Sequence, residues 1–554
     1  MDRPRPVRQG GVAPLGRGNG GDTIMNAIKT VTTMAGLVML AGCGGSGSGD
    51  GNGTAGSAPT PAPTIPTLAV SLSATSQTTS IGDDGSGTPL GFTAAVSGTT
   101  SDTVIADLQY DRTQLALDGD VTRTPDGSYA VRFKPVSTLA LGSYTGNVTF
   151  RLCRDTACGI IYPGSTQAFS YRLTTQIADW TTYQRNPAHS GYVRATFDPA
   201  SFRKAWEWAP ATTTRVSAIA SANGLAYVTT QERDGTAMLR ALATGSGEQR
   251  WSYAIGATTY FSPPAVGNGR VFVTTMTTSS SENPILSVDA ITGEYTPPRS
   301  LFAAQWSTFL PPVPYKDGLY MSAGYYGSVV YGFDYTTRTA WGTETKGSIW
   351  DGETPAVDDD TVYYYSGKAL EMIDRRTGDI RASLADPFFQ NSFYSYYGAP
   401  ILGSMGNVMA YSSQRSASTP SILVNWSITN KSYVWRSANT YSTAPAVGGG
   451  RIYLSRSNPG ELNALDEATG RLLWGWAPPI EERMIGNTIV TDNLVFVSTT
   501  KAIYAIPVQG STHTPVWSAP GGGEMALAAD GTLIVTGQAP DYGYPRALTA
   551  YRLR

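Results

Sequence analysis

The sequence has few of the side chains from which metal centres and proton relays are built. Its 554 residues include 2 histidines, His189 and His513, and 3 cysteines, Cys43, Cys153 and Cys158. Zinc sites and imidazole relays need several such side chains in one place. A site built from several histidines is therefore excluded, and many classes of enzyme with it.

Charge is scarce as well. Charged residues make up 15% of the chain, against roughly 25% in an average soluble domain. The formal net charge is -2, so the chain offers no basic footprint that would make nucleic acid its main partner. The sequence also contains no phosphate-binding loop and no Gly-x-Ser-x-Gly elbow around a nucleophilic serine.

Glycine and aromatic residues are abundant instead, with 61 Gly, 31 Tyr and 12 Trp. Such a composition is typical of many strands joined by tight turns. A chain of 554 residues is also longer than one hydrophobic core usually supports. The sequence therefore predicts an all-β protein with two or more folded units.

The N-terminal region is predicted to direct export. Residues 25–43 combine a lysine near the start, an apolar stretch too short to span a bilayer, and small residues before Cys43. The segment resembles a bacterial lipoprotein signal, which implies that Cys43 carries the lipid and that Gly44 favours the outer membrane; the rival interpretation is a buried apolar helix. Residues 1–24 are interpreted as an upstream extension that is not native, and residues 44–66 as a flexible tether.

Residues 67–175 are predicted to form a β-sandwich. Alternating apolar runs at 68–72, 129–133, 147–152 and 169–173 are separated by Gly, Asp and Ser turns. About 100 residues with this pattern are typical of an immunoglobulin-like fold, and residues 141–146 resemble the closing part of bacterial modules of that kind. Cys153 and Cys158 enclose a loop of hairpin size. We expect them to face each other across an antiparallel pair and to form a disulfide; a two-thiolate metal or redox site is the alternative.

Internal repeats decide the prediction for residues 202–554, which follow a connector at residues 176–201. A turn-rich tripeptide followed by an apolar strand occurs eight times, with the tripeptides at 222–224, 267–269, 316–318, 358–360, 405–407, 448–450, 491–493 and 529–531. The first and last of these are 307 residues apart, a mean spacing of about 44, which matches one four-stranded blade of a β-propeller. The eighth copy lacks a strand with tryptophan, which residues 202–208 can supply. The sequence thus predicts an eight-bladed β-propeller closed by residues 202–208.

Each copy carries further landmarks before and after its turn. A short stretch that often begins with proline, as at Pro264 and Pro445, is expected to be the innermost strand. A strand ending in an Asp-containing turn that glycine closes, and then an outer strand with tryptophan, follow in several copies. Together these residues resemble the pyrroloquinoline-quinone-type repeat of quinoprotein dehydrogenases and of the propeller lipoprotein of outer-membrane barrel assembly. The resemblance covers residues 179–554, and residues 179–191 are similar to the family's lead-in segment.

The resemblance to the dehydrogenases implies a quinone cofactor only if its binding residues are present. Those enzymes have an adjacent cysteine pair and a calcium ion beside a catalytic aspartate, whereas no cysteine follows Cys158 here. We therefore expect no quinone, no other cofactor, no metal and no catalytic residue. Isolated acids such as Asp351, Glu353, Asp466 and Glu467 are expected mainly to form turns, and His189 to pack the lead-in segment onto the propeller.

One stretch between the fourth and fifth copies is unusually aromatic. Residues 387–397 contain Phe388, Phe389, Phe393, Tyr394, Tyr396 and Tyr397 among their aromatic residues. They are candidates for a surface that contacts a protein or a glycan, although packing over one end of the propeller is the explanation we favour for them. The leading prediction is a non-enzymatic envelope lipoprotein, facing the periplasm or the cell surface, whose propeller binds a protein partner. A periplasmic quinoprotein-type oxidoreductase or a glycan-binding protein that uses the propeller mouth is the alternative.

Overall fold

The structure is a computed structural model that describes residues 65–258, 260–275, 285–296, 310–323, 327–335, 339–349, 354–389, 399–412, 420–480, 482–537 and 544–554. The predicted upstream extension, signal, lipid-bearing Cys43 and residues 44–64 of the tether lie outside these ranges. Within them the chain forms β-strands and one 3-10 helix, Pro199–Ser201, which confirms the all-β prediction. None of the described residues forms a helix long and apolar enough to cross a membrane.

Two sheets precede the repeats. The first contains β1 (Ala69–Leu72), β3 (Leu90–Ser97), β5 (Leu115–Leu117), β6 (Thr122–Arg123) and β7 (Tyr129–Pro135). The second contains β2 (Ser76–Gly82), β4 (Ile105–Gln109), β8 (Gly142–Cys153) and β9 (Gln167–Gln176). Alternate residues along β3, β7 and β9 are buried, and Phe92 of the first sheet packs 4.9 Å from Phe169 of the second, measured between ring centroids. The alternation that predicted strands therefore produces one apolar layer between the two sheets.

Eight further sheets form from the described residues of the repeats, and we number them in the order of their first strands in the chain. Sheet 1 contains β12 (Thr213–Val216), β13 (Ala220–Ala222), β14 (Leu225–Glu232), β15 (Thr236–Ala243) and β16 (Gln249–Ala257). Sheets 2 and 3 contain β17 (Ala265–Gly267), β18 (Arg270–Thr274), β19 (Ile285–Asp289), β20 (Tyr295–Thr296), β21 (Val313–Tyr315), β22 (Gly318–Ala323), β23 (Gly327–Asp334) and β24 (Ala340–Ile349). Sheet 4 contains β25 (Ala356–Val357), β26 (Thr361–Tyr365), β27 (Ala369–Asp374) and β28 (Ile380–Ala385).

The remaining four sheets repeat this order. Sheets 5 and 6 contain β29 (Ile401–Leu402), β30 (Asn407–Tyr411), β31 (Ser421–Ser427), β32 (Ser432–Tyr441), β33 (Ala446–Gly448), β34 (Arg451–Ser457), β35 (Gly460–Asp466) and β36 (Leu472–Trp476). Sheet 7 contains β10 (Tyr192–Val193), β37 (Met484–Thr491), β38 (Leu494–Thr499), β39 (Ala502–Pro507) and β40 (Trp517–Pro520). Sheet 8 contains β11 (Arg203–Trp208), β41 (Met525–Leu527), β42 (Thr532–Thr536) and β43 (Leu548–Arg552).

The repeated tripeptides lie at the first tight turn of each sheet, where one strand is joined to the next strand along the chain, as the sequence predicts. We call this turn the first turn of the sheet and the strand before it the first strand. Asn223 and Gly224 join β13 to β14 with φ angles of 54° and 73°, and Asn268 and Gly269 join β17 to β18 with 51° and 70°. Positive φ at both central residues defines the two-residue turn that matches the twist of a hairpin, and Asn-Gly adopts it at little strain. The repeat is therefore visible in the sequence because the turn geometry restricts its residues.

The missing strand of the eighth copy also lies where the sequence predicts. β11 pairs antiparallel with β43, with Arg203 opposite Arg552 and Trp208 opposite Leu548. This pairing covers the edge that β43 would otherwise expose. Sheet 8 in turn contacts sheet 1, because Thr244 donates a 2.7 Å hydrogen bond to Asp530. The two ends of the repeat region are thus joined within one sheet.

Tryptophans of fourth strands connect neighbouring sheets. In each of four cases the indole lies over the glycine that closes the turn between the last two strands of the next sheet, and its N–H donates to a carbonyl of that turn 2.7–3.1 Å away. The four pairs are Trp206 on Gly247, Trp251 on Gly293, Trp341 on Gly378 and Trp435 on Gly470. The glycines leave room for the ring, since a Cβ at any of them would come within 2.7 Å of it. This contact explains why the two landmarks recur together in the sequence.

Candidate functional site

The connector follows the free edges of the first strands. Its backbone carbonyls accept hydrogen bonds of 2.7–2.9 Å from first-strand N–H groups of six sheets. The donors and acceptors are Ser221 to Trp180, Val266 to Thr181, Val357 to Pro187, Leu402 to Ala188, Val447 to Ser190 and Val490 to Gly191. Edge strands leave such N–H groups unpaired unless another segment covers them. The connector therefore serves as the partner of these edges.

Connector side chains extend the same pattern. Thr182 donates to the carbonyl of Pro312, ahead of the first strand of sheet 3, at 2.8 Å. Gln184 donates to the carbonyls of Pro445 and Thr488, and its own carbonyl accepts from Asn487 at 2.9 Å. Asn487 then exchanges hydrogen bonds with the backbone of Met525 in sheet 8. All eight sheets are thus linked to the connector, sheet 8 through the side chain of Asn487.

His189 has the packing role predicted from the sequence. Its ring is fully buried, lies 5.0 Å from Tyr183 between ring centroids, and bonds the carbonyl of Pro400 through Nδ1 at 2.7 Å. Burial lowers the pKa of His189 to about 4, although that hydrogen bond opposes the shift. The imidazole is therefore neutral at pH 7, with its proton on Nδ1, because only a protonated nitrogen can donate to a carbonyl. His513 also packs, with its ring stacked 3.9 Å from that of Trp474.

A buried ion pair connects the N-terminal sheets to the connector. Asp83, after β2, pairs with Arg185, and both side chains are 1% exposed. Asp83 also accepts 2.7 Å hydrogen bonds from the backbone N–H groups of Ala178 and Arg194. Burial alone would raise the pKa of Asp83, but the charge of Arg185 and these hydrogen bonds lower it overall. The sequence does not reveal this pair, because Asp83 lies in an ordinary turn sequence and nothing local marks its partner 102 residues away.

A cavity of about 330 Å³ is lined by residues at, or just before, the start of the first strands of several sheets. We call it the mouth cavity and define it by its lining residues, which include Thr182, Gln184, Arg215, Asn487 and Glu524. Arg215 stacks on Phe261 and Tyr544, with its guanidinium carbon 4.8 and 4.6 Å from the two ring centroids. Burial raises the pKa of Glu524 to about 7. Nothing in the sequence marks Glu524 as a site residue, because it follows three glycines and belongs to no recognisable motif.

A second cavity of about 660 Å³ lies next to the first turns of several sheets. It is lined by residues 84–87 of the first turn after β2, by the connector, and by turns of sheets 2 to 4 that include Asn268, Lys316 and Asp358. Asp179 of the connector faces it, and burial raises the pKa of this carboxyl to about 6. The connector thus lines both cavities, with Thr182 to Gln184 at the mouth cavity and Asp179, Thr181 and residues 186–188 at the second.

Cys153 and Cys158 are close together, but not in the arrangement the sequence suggested. Cys153 ends β8 and pairs with Ile161, while Cys158 lies in the intervening turn with φ of 55°. The expectation that the two cysteines face each other across an antiparallel pair is therefore wrong, because the hairpin closes later than the loop length implied. Their Cα atoms are 5.0 Å apart, with the sulfur atoms at bonding range, and the carboxylate of Asp107 lies within 4.8 Å of them.

The aromatic stretch lies only partly within the described residues. Phe388 and Phe389 are half-buried, and Phe388 packs 5.3 Å from Tyr433 of sheet 5 between ring centroids and under the guanidinium of Arg436. Phe393, Tyr394, Tyr396 and Tyr397 lie outside the described residues. The predicted contact surface thus stays a prediction, and Phe388 already contributes to packing between sheets.

Two of the acids singled out in the sequence have structural contacts. The carboxylate of Asp466 accepts hydrogen bonds from the backbone N–H and the hydroxyl of Thr469, at 2.9 and 2.6 Å, and so forms the predicted turn. Glu467 is fully buried and accepts 2.6 Å hydrogen bonds from the backbone and hydroxyl of Ser404, which join sheet 6 to sheet 5. Asp351 and Glu353 lie outside the described residues.

The fold defines a class of repeat protein, in which mainly antiparallel sheets of four or five strands follow one another and, at four junctions, a tryptophan packs on a turn of the next sheet. Residues 189–476, just over half of the chain, match the family described as "Outer membrane protein assembly factor BamB". The chain belongs to this family, which confirms the resemblance inferred from the repeats. No curated protein sequence matches the chain.

Several solved structures are similar. Quinohemoprotein alcohol dehydrogenase from Comamonas testosteroni is 14% identical, with 68% of this chain and 81% of that chain covered and a TM-score of 0.52. BamB from Moraxella catarrhalis is 14% identical, with 64% and 98% covered and a TM-score of 0.46. Apo AztD from Citrobacter koseri is 12% identical, with 63% and 98% covered and a TM-score of 0.40. At this identity the likeness to the dehydrogenase shows a shared fold and carries no statement about activity.

Proposed function

We propose that the eight sheets are the blades of a closed eight-bladed β-propeller, residues 202–554, and that residues 67–175 form an immunoglobulin-like sandwich. First strands would then surround a central axis, with the connector along it. The pairing of β11 with β43 and the contact of sheet 8 with sheet 1 support closure. The two packed N-terminal sheets support the sandwich.

We further propose that this propeller is a non-enzymatic scaffold of the cell envelope that binds a protein partner. The observation that carries the proposal is the path of the connector, whose hydrogen bonds occupy the first-strand edges of the sheets. In the proposed ring the connector occupies the centre, so a large partner would bind to the outer faces of the propeller. Membership of a family named for outer-membrane protein assembly supports a partner in the envelope.

The residues of the mouth cavity do not fit a quinone with calcium. Calcium takes 6–8 oxygen ligands, usually with several carboxylates, and Glu524 is the one acid among the described residues that line this cavity. The side-chain amide of Asn487 is already hydrogen-bonded to Gln184 and to the backbone of Met525. The chain also has no cysteine after Cys158 to form a pair over the ring.

An assay with added cofactor separates the scaffold from the quinoprotein alternative. The purified full-length protein is titrated with pyrroloquinoline quinone and Ca²⁺, and dye-linked oxidation of primary alcohols is measured. We expect no saturable binding and no turnover above the rate of free quinone. Saturable binding accompanied by turnover would overturn the non-enzymatic proposal.

The aromatic stretch is the first surface to test for partner binding. A variant with Phe393, Tyr394 and Tyr396 replaced by Ala is expected to recover less partner from detergent-solubilised envelopes than the wild type, because aromatic side chains dominate binding energy at many interfaces. The control variant Tyr295→Ala replaces an exposed aromatic residue of sheet 2, outside the aromatic stretch, and reports general effects of removing an aromatic side chain. Equal recovery by the triple variant and the wild type would remove this stretch from the interface.

The lipid anchor gives a further prediction. Several acyl chains on Cys43 would hold the protein on a membrane far better than one, so the Cys43→Ser variant is expected to move from the membrane fraction to the soluble periplasmic fraction. Fractionation with immunoblotting measures the distribution, and metabolic labelling with a palmitate analogue reports the lipid. A variant that stays on the membrane at the wild-type level would show that Cys43 is not the anchor.

We propose that Cys153 and Cys158 form a disulfide in the mature protein. Intact mass of the exported protein under non-reducing conditions is expected to be 2 Da below the value with two free thiols, and thiol reagents should label neither cysteine before reduction. Labelling of both cysteines in the native protein, blocked by added Zn²⁺, would favour the alternative metal site with Asp107.

A further inference from the structure

The mouth cavity is built around one carboxylate. Five sheets contribute to its wall the residue four places before the last residue ahead of the first turn, and these residues are Ala218, Pro263, Pro311, Asn487 and Glu524. Four of them are uncharged. Because equivalent positions of successive sheets face the same centre, Glu524 is the charged member of this set of lining residues.

The backbone around Glu524 is fixed. Its N–H donates to the hydroxyl of Thr536 at 2.9 Å, and its carbonyl accepts from the N–H of Thr536 at 2.9 Å. Gly523, just before it, approaches sheet 8 so closely that a Cβ would lie 2.3 Å from the carbonyl oxygen of Thr536. These contacts fix the backbone at Glu524, whose side chain lines the cavity. No hydrogen bond from the described residues reaches its carboxylate.

Part of the wall around this carboxylate offers no hydrogen-bond donor. Pro263, Pro264, Pro311 and Pro545 have no N–H, and the amide group of Asn487 is used by Gln184 and Met525. The other titratable or charged groups that line the cavity are Arg215, Tyr183 and Tyr544. Because no described residue donates a hydrogen bond to the carboxylate of Glu524, a ligand that pairs with this group must supply the donors itself.

We propose that the mouth cavity binds a small organic cation, a protonated primary amine whose ammonium group pairs with Glu524. An ammonium group supplies three donors and a charge that compensates a desolvated carboxylate. The proline-rich wall suits the methylene groups of such a ligand. The cavity volume equals that of about eleven water molecules at ~30 Å³ each, which leaves room for a small amine. This site is independent of the protein-binding role proposed above.

Proton linkage follows from the same geometry. Burial keeps the carboxyl of Glu524 partly protonated near pH 7, its pKa being raised to about 7. The ammonium group binds only the ionised carboxylate, so amine binding releases protons near neutral pH. Below pH 7 the affinity should fall by about tenfold per pH unit, since one proton then competes with each amine. Above pH 8 the affinity should level off until the amine itself loses its proton.

Isothermal titration of the full-length protein with 4-aminobutan-1-ol tests the proposal, with 1,4-butanediol as the uncharged control of the same shape. We expect saturable binding of the amine and none of the diol, and at least a thirtyfold weaker affinity in the Glu524→Gln variant. Glu524→Asp keeps the charge and should retain part of the binding, while Glu294→Gln, an exposed acid in a turn of sheet 2, should bind like the wild type. Circular dichroism confirms that each variant is folded. Equal binding of amine and diol, wild-type affinity in Glu524→Gln, or no binding of the amine at millimolar concentration would each overturn the proposal.

Discussion

Replacing Asp83 with Asn is expected to lower the free energy of unfolding by about 3–5 kcal/mol, because Arg185 would then be left as a buried and uncompensated charge. Both side chains are 1% exposed, so water cannot take the place of the lost partner. The asparagine would also accept the backbone N–H groups of Ala178 and Arg194 less strongly than the carboxylate does. Urea denaturation measures the loss, and hydrogen exchange of the amides at residues 178–194 shows where protection disappears.

The exposed pair Lys204 and Glu207 is the matched control for this prediction. Their side chains are 54% and 51% exposed, and Glu207→Gln should leave the urea midpoint unchanged because water screens such pairs. The double variant Asp83→Asn with Arg185→Met should recover part of the loss, since it removes the uncompensated charge. A single Asp83→Asn variant as stable as the wild type would contradict the role of this pair in holding the N-terminal sheets to the connector.

The same pair sets a direction for pH dependence. Because the folded-state pKa of Asp83 is lowered, the ion pair contributes its full stability above the ordinary aspartate pKa of about 3.9. The contribution is lost progressively as the pH falls from there through the lowered folded-state pKa. Comparing wild type with Asp83→Asn between pH 7 and pH 3 should therefore show a difference that shrinks only at the acidic end.

Replacing Trp435 with Ala is expected to lower the free energy of unfolding by about 3–5 kcal/mol, the range for removal of a large buried aromatic side chain. Trp435 is 7% exposed, lies over Gly470 and donates to the carbonyl of Glu467 at 3.0 Å. Its loss opens the contact between sheets 5 and 6. Thermal and urea denaturation measure the effect.

Two further variants separate the ring from its N–H group. Trp435→Phe keeps an aromatic ring without the donor and should cost less than Trp435→Ala. Val434→Ala changes the neighbouring residue, which is 46% exposed on the same strand, and should stay within about 0.5 kcal/mol of the wild type. If Trp435→Ala were no more destabilising than Val434→Ala, tryptophan contacts between sheets would not stabilise the fold.

The elements that the sequence predicted well are those set by local geometry. Asn223 and Gly224 mark a turn because their φ angles are positive, and Gly470 is required by the ring of Trp435 that lies over it. Such restrictions repeat with the sheets and so appear as a period in the sequence. The position of β11 beside β43 was also predictable, because the repeat left one strand missing.

The candidate site was much less predictable, because its contacts join residues far apart in the sequence. Gln184 bonds the carbonyl of Thr488 across 304 residues, and Arg185 pairs with Asp83 across 102. Neither contact repeats, so no period reveals it. Glu524 follows a run of glycines that is typical of a loop. Its position in a cavity wall depends on how the eight sheets are arranged. The cysteine hairpin shows the same limit, since the loop length alone did not predict that Cys153 pairs with Ile161.

Site-specific photo-crosslinking in intact cells tests the scaffold proposal most directly. A photoreactive amino acid replaces Tyr260, which is 41% exposed in the connection from β16 to β17, or Ile291, which is 57% exposed in a turn at the opposite ends of the strands. The aromatic stretch connects β28 to β29 and so belongs to a connection of the same kind as that of Tyr260. We expect one discrete protein adduct from position 260, lost in the Cys43→Ser variant, and none from position 291. Identical, diffuse adducts from both positions, or none from either, would contradict the scaffold proposal.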